Sequence, residues 1–189
     1  MTLLRLMVFM LPIGTAGCDL LQTRDPEPPA GGSATFTPPT SYDLVIPNLE
    51  AAVREKNSTN YRQCLVDSTY SNRQYQFQPT PERVNEFVDW TVALEVTSFE
   101  KLSLSKPDGI SDLSFSSTSY SSQPPDEAVL TAKYRLVFQH NDNTLAQEAR
   151  GNIQMNLVLD QRGWWRIYHW VDLRDTSETT WSDFKAKFR

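Results

Sequence analysis

The sequence predicts an α+β domain in which helices come first and antiparallel strands follow. Three observations carry this reading. Apolar residues recur at helical spacing up to Leu102, they alternate with polar ones from Leu130 onward, and Gly, Pro, Asn and Asp punctuate the alternating runs. Residues 42–189 are read as one domain, long enough to bury roughly two-thirds of its unfolded surface.

From Ser41 to Lys56, Val45, Leu49, Ala52 and Val53 mark one helical stripe. Pro47 is awkward inside it, because an interior proline removes a donor and clashes with the preceding turn. The helix therefore begins at Pro47 or is kinked in its first turn. Ser58 offers a cap for a second short helix holding Tyr61, Cys64 and Leu65. Gln74 to Gln78 is a short extended run with Tyr75 and Phe77 on one side. Thr80-Pro81-Glu82 then reads as a helix start, with a capping hydroxyl, a proline at the first helical position and an acid at the positive helix end. That helix is expected to reach about Leu102 and to turn Val84, Phe87, Val88, Thr91 and Leu94 inward, with Trp90 and Glu95 at its flanks.

Asp112 to Tyr120 is a serine-rich strand suited to a sheet edge. Leu130, Ala132, Tyr134, Leu136 and Phe138 alternate with polar residues, as do Ala149, Gly151, Ile153, Met155, Leu157 and Leu159. Turns at His140–Asn143 and Asp160–Gly163 separate these strands and the last one, Trp164 to Leu173. Trp181 to Phe188 closes the chain as a helical turn.

The element order, the helical pair near residues 42–66, the Tyr75–Phe77 strand and Gly163-Trp164-Trp165-Arg166-Ile167 resemble the nuclear transport factor 2-like superfamily. The last segment is similar to the Gly-x-Trp-x-Ile run of its SnoaL-like members. This resemblance implies N-terminal helices packed in the concave face of a strongly curved antiparallel sheet, a cone. It also implies a host for isomerases, cyclases and dehydratases, and equally for non-catalytic binding modules.

Upstream, Arg5 supplies a positive charge, Leu6 to Ile13 an apolar stretch broken by Pro12, and Thr15, Ala16 and Gly17 small residues before Cys18. The apolar run falls short of the roughly 20 residues that span a bilayer. Thr15-Ala16-Gly17-Cys18 resembles the bacterial lipobox, departing from it at Thr15, where leucine is preferred. The resemblance implies removal of residues 1–17 as a signal peptide and lipidation (palmitate among the acyl groups) of Cys18. The other reading is an ordinary secretory signal cut near Ala16, leaving Cys18 a free thiol. Residues 18–41 carry five prolines and few core-forming side chains, and read as a flexible tether with a maximal reach of about 70 Å. Asp19 resembles an inner-membrane retention signal, but inner and outer membrane are not resolved. The expected location is the bacterial cell envelope, anchored and facing the periplasm or exterior.

A net charge of −5, one unit more negative without Arg5, argues against nucleic acid as a partner. With Cys18 acylated, Cys64 has no partner in the chain, and it reads as a buried hydrophobe. Two histidines without a cysteine pair give no zinc set, and His140-Asn141-Asp142-Asn143 lacks calcium-loop spacing, so no metal or cofactor is expected.

A catalytic role needs a base in the cone, and His169, Asp172 and Asp89 are the candidates, with Glu95 and Tyr61 behind them. His169 and Asp172, three apart on a strand, point to opposite faces unless a bulge intervenes. Asp172 is expected beside Arg166, its bland account being an ion pair. Trp164, Tyr168 and Trp170 alternate on one face of the last strand. Either that face binds a second copy or an envelope protein, or the monomer covers it. Two functions follow: a non-enzymatic binding or accessory lipoprotein, or a SnoaL-like enzyme acting on a small hydrophobic ligand. An open pocket with a titratable group at its base separates them.

Overall fold

The computed structural model describes residues 35–189. The elements are α1 (Val45–Arg54), α2 (Ser58–Cys64), β1 (Gln76–Gln78), α3 (Val92–Ser105), β2 (Ser111–Gln123), β3 (Glu127–Phe138), β4 (Glu148–Leu159), β5 (Trp165–Leu173) and α4 (Trp181–Lys187), with 3₁₀ turns at Tyr42–Leu44 and Pro81–Glu86. One five-stranded sheet, ordered β1-β5-β4-β3-β2, curls around the helices. Only β1 runs parallel to its neighbour, β5. The α+β class and the helices within a curved sheet are as expected.

Helix α1 does not begin at Pro47. It starts two residues earlier, so Pro47 occupies the first turn, where backbone donors lack partners anyway. The cap of α2 is Asn57, whose side chain accepts from Asn60 N at 3.0 Å, rather than Ser58.

The long helix from Thr80 does not form. A 3₁₀ turn ends at Glu86, Asp89 adopts φ 57°, and Thr91 caps a new helix through Leu94 N. This left-handed residue resets the helical phase. Of the five side chains expected inside, Phe87 alone is buried; Val84 and Val88 are 56% and 71% exposed, and Thr91 and Leu94 also face out. The inner face of α3 is instead Glu95, Ser98, Phe99 and Leu102.

The inner sheet face is built by Leu130, Ala132, Tyr134, Leu136 and Phe138 of β3 against Ile153, Met155 and Leu157 of β4. At Gly151 an added Cβ would lie 2.7 Å from Leu173 O, so only glycine fits this crossing. Strand β5 carries a bulge: Leu157 pairs with Ile167, but Asn156 pairs with His169, leaving Tyr168 extra. Side chains beyond Tyr168 therefore exchange faces.

The chain joins the domain earlier than residue 42. Thr37 N donates to Asn48 Oδ1 (2.9 Å), Asn48 Nδ2 donates to Thr37 O (2.7 Å), and Trp165 N donates to Pro39 O (2.8 Å). Residues 35–41 are thus docked, which corrects the tether at its C-terminal end. The signal segment, Cys18 and the rest of the tether lie outside the described residues.

Candidate functional site

The interior of the curled sheet is where a base would have to stand, and two carboxylates are there. Glu95, on the inner face of α3, is 1% exposed. Its Oε1 accepts from Tyr61 Oη at 2.6 Å and its Oε2 from Trp90 Nε1 at 2.7 Å. Lys185 Nζ of α4 lies 2.8 Å from Oε1, sandwiched 3.7 and 3.9 Å from the ring centres of Phe77 and Trp170. Burial pulls the Lys185 ammonium below its ordinary pKa, and Glu95 pulls it back up. Burial, then the Glu95 charge, pushes the Tyr61 and Tyr75 hydroxyls well up.

Asp172 is the second carboxylate, fully buried on the inner face because the bulge turned it there. Oδ1 accepts from Tyr134 Oη (2.8 Å), and Oδ2 from Ser182 N (2.7 Å) and Ser182 Oγ (2.6 Å). Tyr134 Oη in turn accepts from Trp181 N at 2.7 Å. Asp172 and Tyr134 therefore hold the first turn of α4, where a helix presents unpaired donors. The expected Arg166–Asp172 pair does not exist; Arg166 faces the other way and meets Asp160 at 3.3 Å.

Helix α4 brings Trp181, Ser182, Phe184 and Lys185 into the interior, all nearly or fully buried. Trp181 packs edge-on against Trp170 at 4.6 Å. Both carboxylates are thus engaged by protein side chains and backbone and covered by this helix.

His169 points outward, opposite Asn156, and burial holds its imidazole below the usual value. It lines a shallow depression of about 490 Å³ with Asp89, Trp90, Phe87, Val84 and Val88, beside β1. Of the three base candidates, His169 and Asp89 share this outer hollow, and Asp172 stays inside. The aromatic trio is divided. Trp170 is buried in the core, while Trp164 packs against Phe36 (6.3 Å) and Tyr168 lies under Arg73 (5.2 Å), both half-buried. The single shared face expected of Trp164, Tyr168 and Trp170 is therefore corrected by the bulge at Tyr168. The remaining exposed side of the sheet is polar, with Lys133, Asn152, Gln154 and Asn156.

Sequence reading missed the Glu95–Lys185 pair. A signal existed: Glu95, Phe99 and Leu102 stand at i, i+4, i+7, and Trp181 and Lys185 at i, i+4, so each charge shares a face with buried aromatics.

No family profile and no curated protein matches the chain. Solved structures do. One is a proposed aromatic ring hydroxylase from Novosphingobium aromaticivorans, with TM-score 0.56, 9% identity, and 76% of this chain and 92% of that one covered. Another is ActVI-ORFA from Streptomyces coelicolor, with TM-score 0.52, 12% identity, and coverage of 70% and 93%. A third is a proposed calcium/calmodulin dependent protein kinase II association domain from Xanthomonas campestris, with TM-score 0.51, 12% identity, and coverage of 71% and 86%. The fold is nuclear transport factor 2-like. At these identities the likeness reaches the fold and stops there.

Proposed function

We propose that the protein is a membrane-anchored lipoprotein of the cell envelope whose nuclear transport factor 2-like domain acts as a binding module rather than a catalyst. The observation that carries the second half is the closed interior: Glu95 and Asp172 are 1% and 0% exposed and are engaged by Tyr61, Trp90, Lys185, Tyr134 and Ser182. A proton-transferring carboxylate must reach its substrate, and here α4 stands between. Two of the exposed apolar side chains, Val84 and Val88, line the hollow beside β1, where a partner in the envelope would dock. The first half rests on Thr15-Ala16-Gly17-Cys18.

Two measurements test the reading. Mass spectrometry of the mature N-terminus should find diacylglyceryl and acyl groups on Cys18, and Cys18→Ser should move the protein out of the membrane fraction. A Cys18→Ser protein that stays with the membrane, or an unmodified wild-type cysteine, refutes anchoring. For the module, cross-linking from a photoreactive residue at position 88 in intact cells should trap one defined partner, lost in Val84→Asp. Cross-links spread over many proteins and unchanged by that substitution refute the docking surface.

A further inference from the structure

Arg166 is a large charged side chain with 1% exposure, on the side of β5 opposite Asp172. Buried guanidinium groups need partners for their five N–H donors. Arg166 has one: Nε donates to Asp160 Oδ2 at 3.3 Å. Its Nη1 is buried with no partner among the described residues.

Asp160 has nothing more to offer. Oδ1 accepts from Arg162 N (2.9 Å) and Trp164 N (3.1 Å), and Oδ2 already takes Arg162 Nη2 (2.8 Å) and Nε (3.2 Å). A third guanidinium, Arg62, sits 3.7 Å from Asp67 and donates to Val66 O at 3.3 Å. Three positive charges thus face two carboxylates, leaving one positive charge unbalanced. Burial, and then the Arg162 charge, hold Arg166 below its ordinary pKa.

These groups line a cavity of about 200 Å³ between the end of α2 and the β4–β5 turn, formed by Arg62, Gln63, Leu65, Asp67, Arg162 and Arg166. Its walls are held in place. Val66 N donates to Ile167 O at 2.9 Å, Arg162 stacks 3.9 Å from the Tyr70 ring, and Arg166 lies 4.8 Å from the Trp164 ring. Aromatic faces fix guanidinium planes without using their N–H donors.

We propose that this cavity is an oxyanion site, taking a phosphate or carboxylate group of a small molecule on Arg166, Arg162 and Arg62. The bound group supplies the acceptors that Arg166 lacks and the negative charge that the two aspartates leave short. The cavity is sized for one such group rather than for a polymer. This site is separate from the hollow beside β1 and does not rest on the binding-module reading.

The test uses the full chain and follows arginine Nε–H and tryptophan indole N–H signals by NMR. Inorganic phosphate and acetate are titrated separately at constant ionic strength, with chloride as the balancing anion. Saturable shifts of Arg162, Arg166 and Trp164 are expected with at least one anion, in the millimolar range or tighter. Phosphate alone assigns a phosphoryl ligand, and acetate alone assigns a carboxylate. Arg62→Gln, a part-exposed change that gives up a 3.7 Å ion pair with Asp67, should weaken the constant about tenfold, the loss of one charge-assisted contact. Arg162→Gln should weaken it at least as much. Shifts that stay linear to about 50 mM for both anions, or a constant unchanged in a natively melting Arg62→Gln, overturn the proposal.

Discussion

Replacing Lys185 by Met isolates the charge that α4 inserts beside Glu95. Methionine is close in length and keeps the packing between Phe77 and Trp170, so little cavity is created. The loss is electrostatic: Glu95 stays buried with Tyr61 Oη and Trp90 Nε1 as its remaining donors. Removing one partner of a buried ion pair costs about 3–5 kcal/mol, and those two donors place this case near the lower value, about 3 kcal/mol. For a domain of this size that is a fall in Tm of about 6–12 °C. The companion Glu95→Gln/Lys185→Met removes both charges, and should return to within about 1.5 kcal/mol of the parent. Urea denaturation of the parent, both single variants and the double variant, with matched m-values, completes the cycle. A cost under about 1 kcal/mol for Lys185→Met, or strictly additive single costs, would refute the pair as the element that seals the interior.

The remaining expectations are simpler. Tyr61, Tyr75 and Tyr134 have raised folded pKa values, chiefly from burial, so their contribution to stability is complete below about pH 10. It should then fall by up to about 1.4 kcal/mol per group for each pH unit above that, because the unfolded chain releases protons the folded one keeps. Tyrosinate absorbance rising at ordinary pH while circular dichroism stays native would contradict this. Burial pushes the Cys64 thiol up to about 12, so a disulfide reagent should label it only as fast as the domain unfolds, and rapid native labelling would be the contrary result. Gly151→Ala should cost about 1–3 kcal/mol in urea denaturation through its clash with Leu173 O, and a neutral result would show that β5 yields there.

Much of the fold was legible because periodicity is a local property. The alternation in β3 and β4 needs no knowledge of neighbours, and the stripe Val45, Leu49, Ala52, Val53 identifies the buried side of α1. The failures sit where a single residue changes phase. Asp89 in the left-handed region divides the expected long helix, and Tyr168 as an extra residue divides β5. A helix-favourable Thr-Pro-Glu start says nothing about a break nine residues on. A bulge arises from pairing with β4, so alternation within β5 alone cannot reveal it.

The same division separates the candidate sites. Asp172 and His169 were rightly placed on opposite faces, yet which of them entered the core depended on the bulge. The Glu95–Lys185 pair joins residues 90 positions apart, and the Arg162–Asp160–Arg166 cluster faces Arg62 across the end of α2.

By itself the sequence determined the α+β order of elements, the strand alternation and the residues able to carry charge inside. Those follow from side-chain spacing and backbone preference, which act within a few residues. Only the tertiary structure decided that α4 closes the interior, that Asp172 anchors it and that Arg166 is left with unpaired donors. Burial and pairing are settled between distant segments, where one phase shift moves every following side chain to the other face.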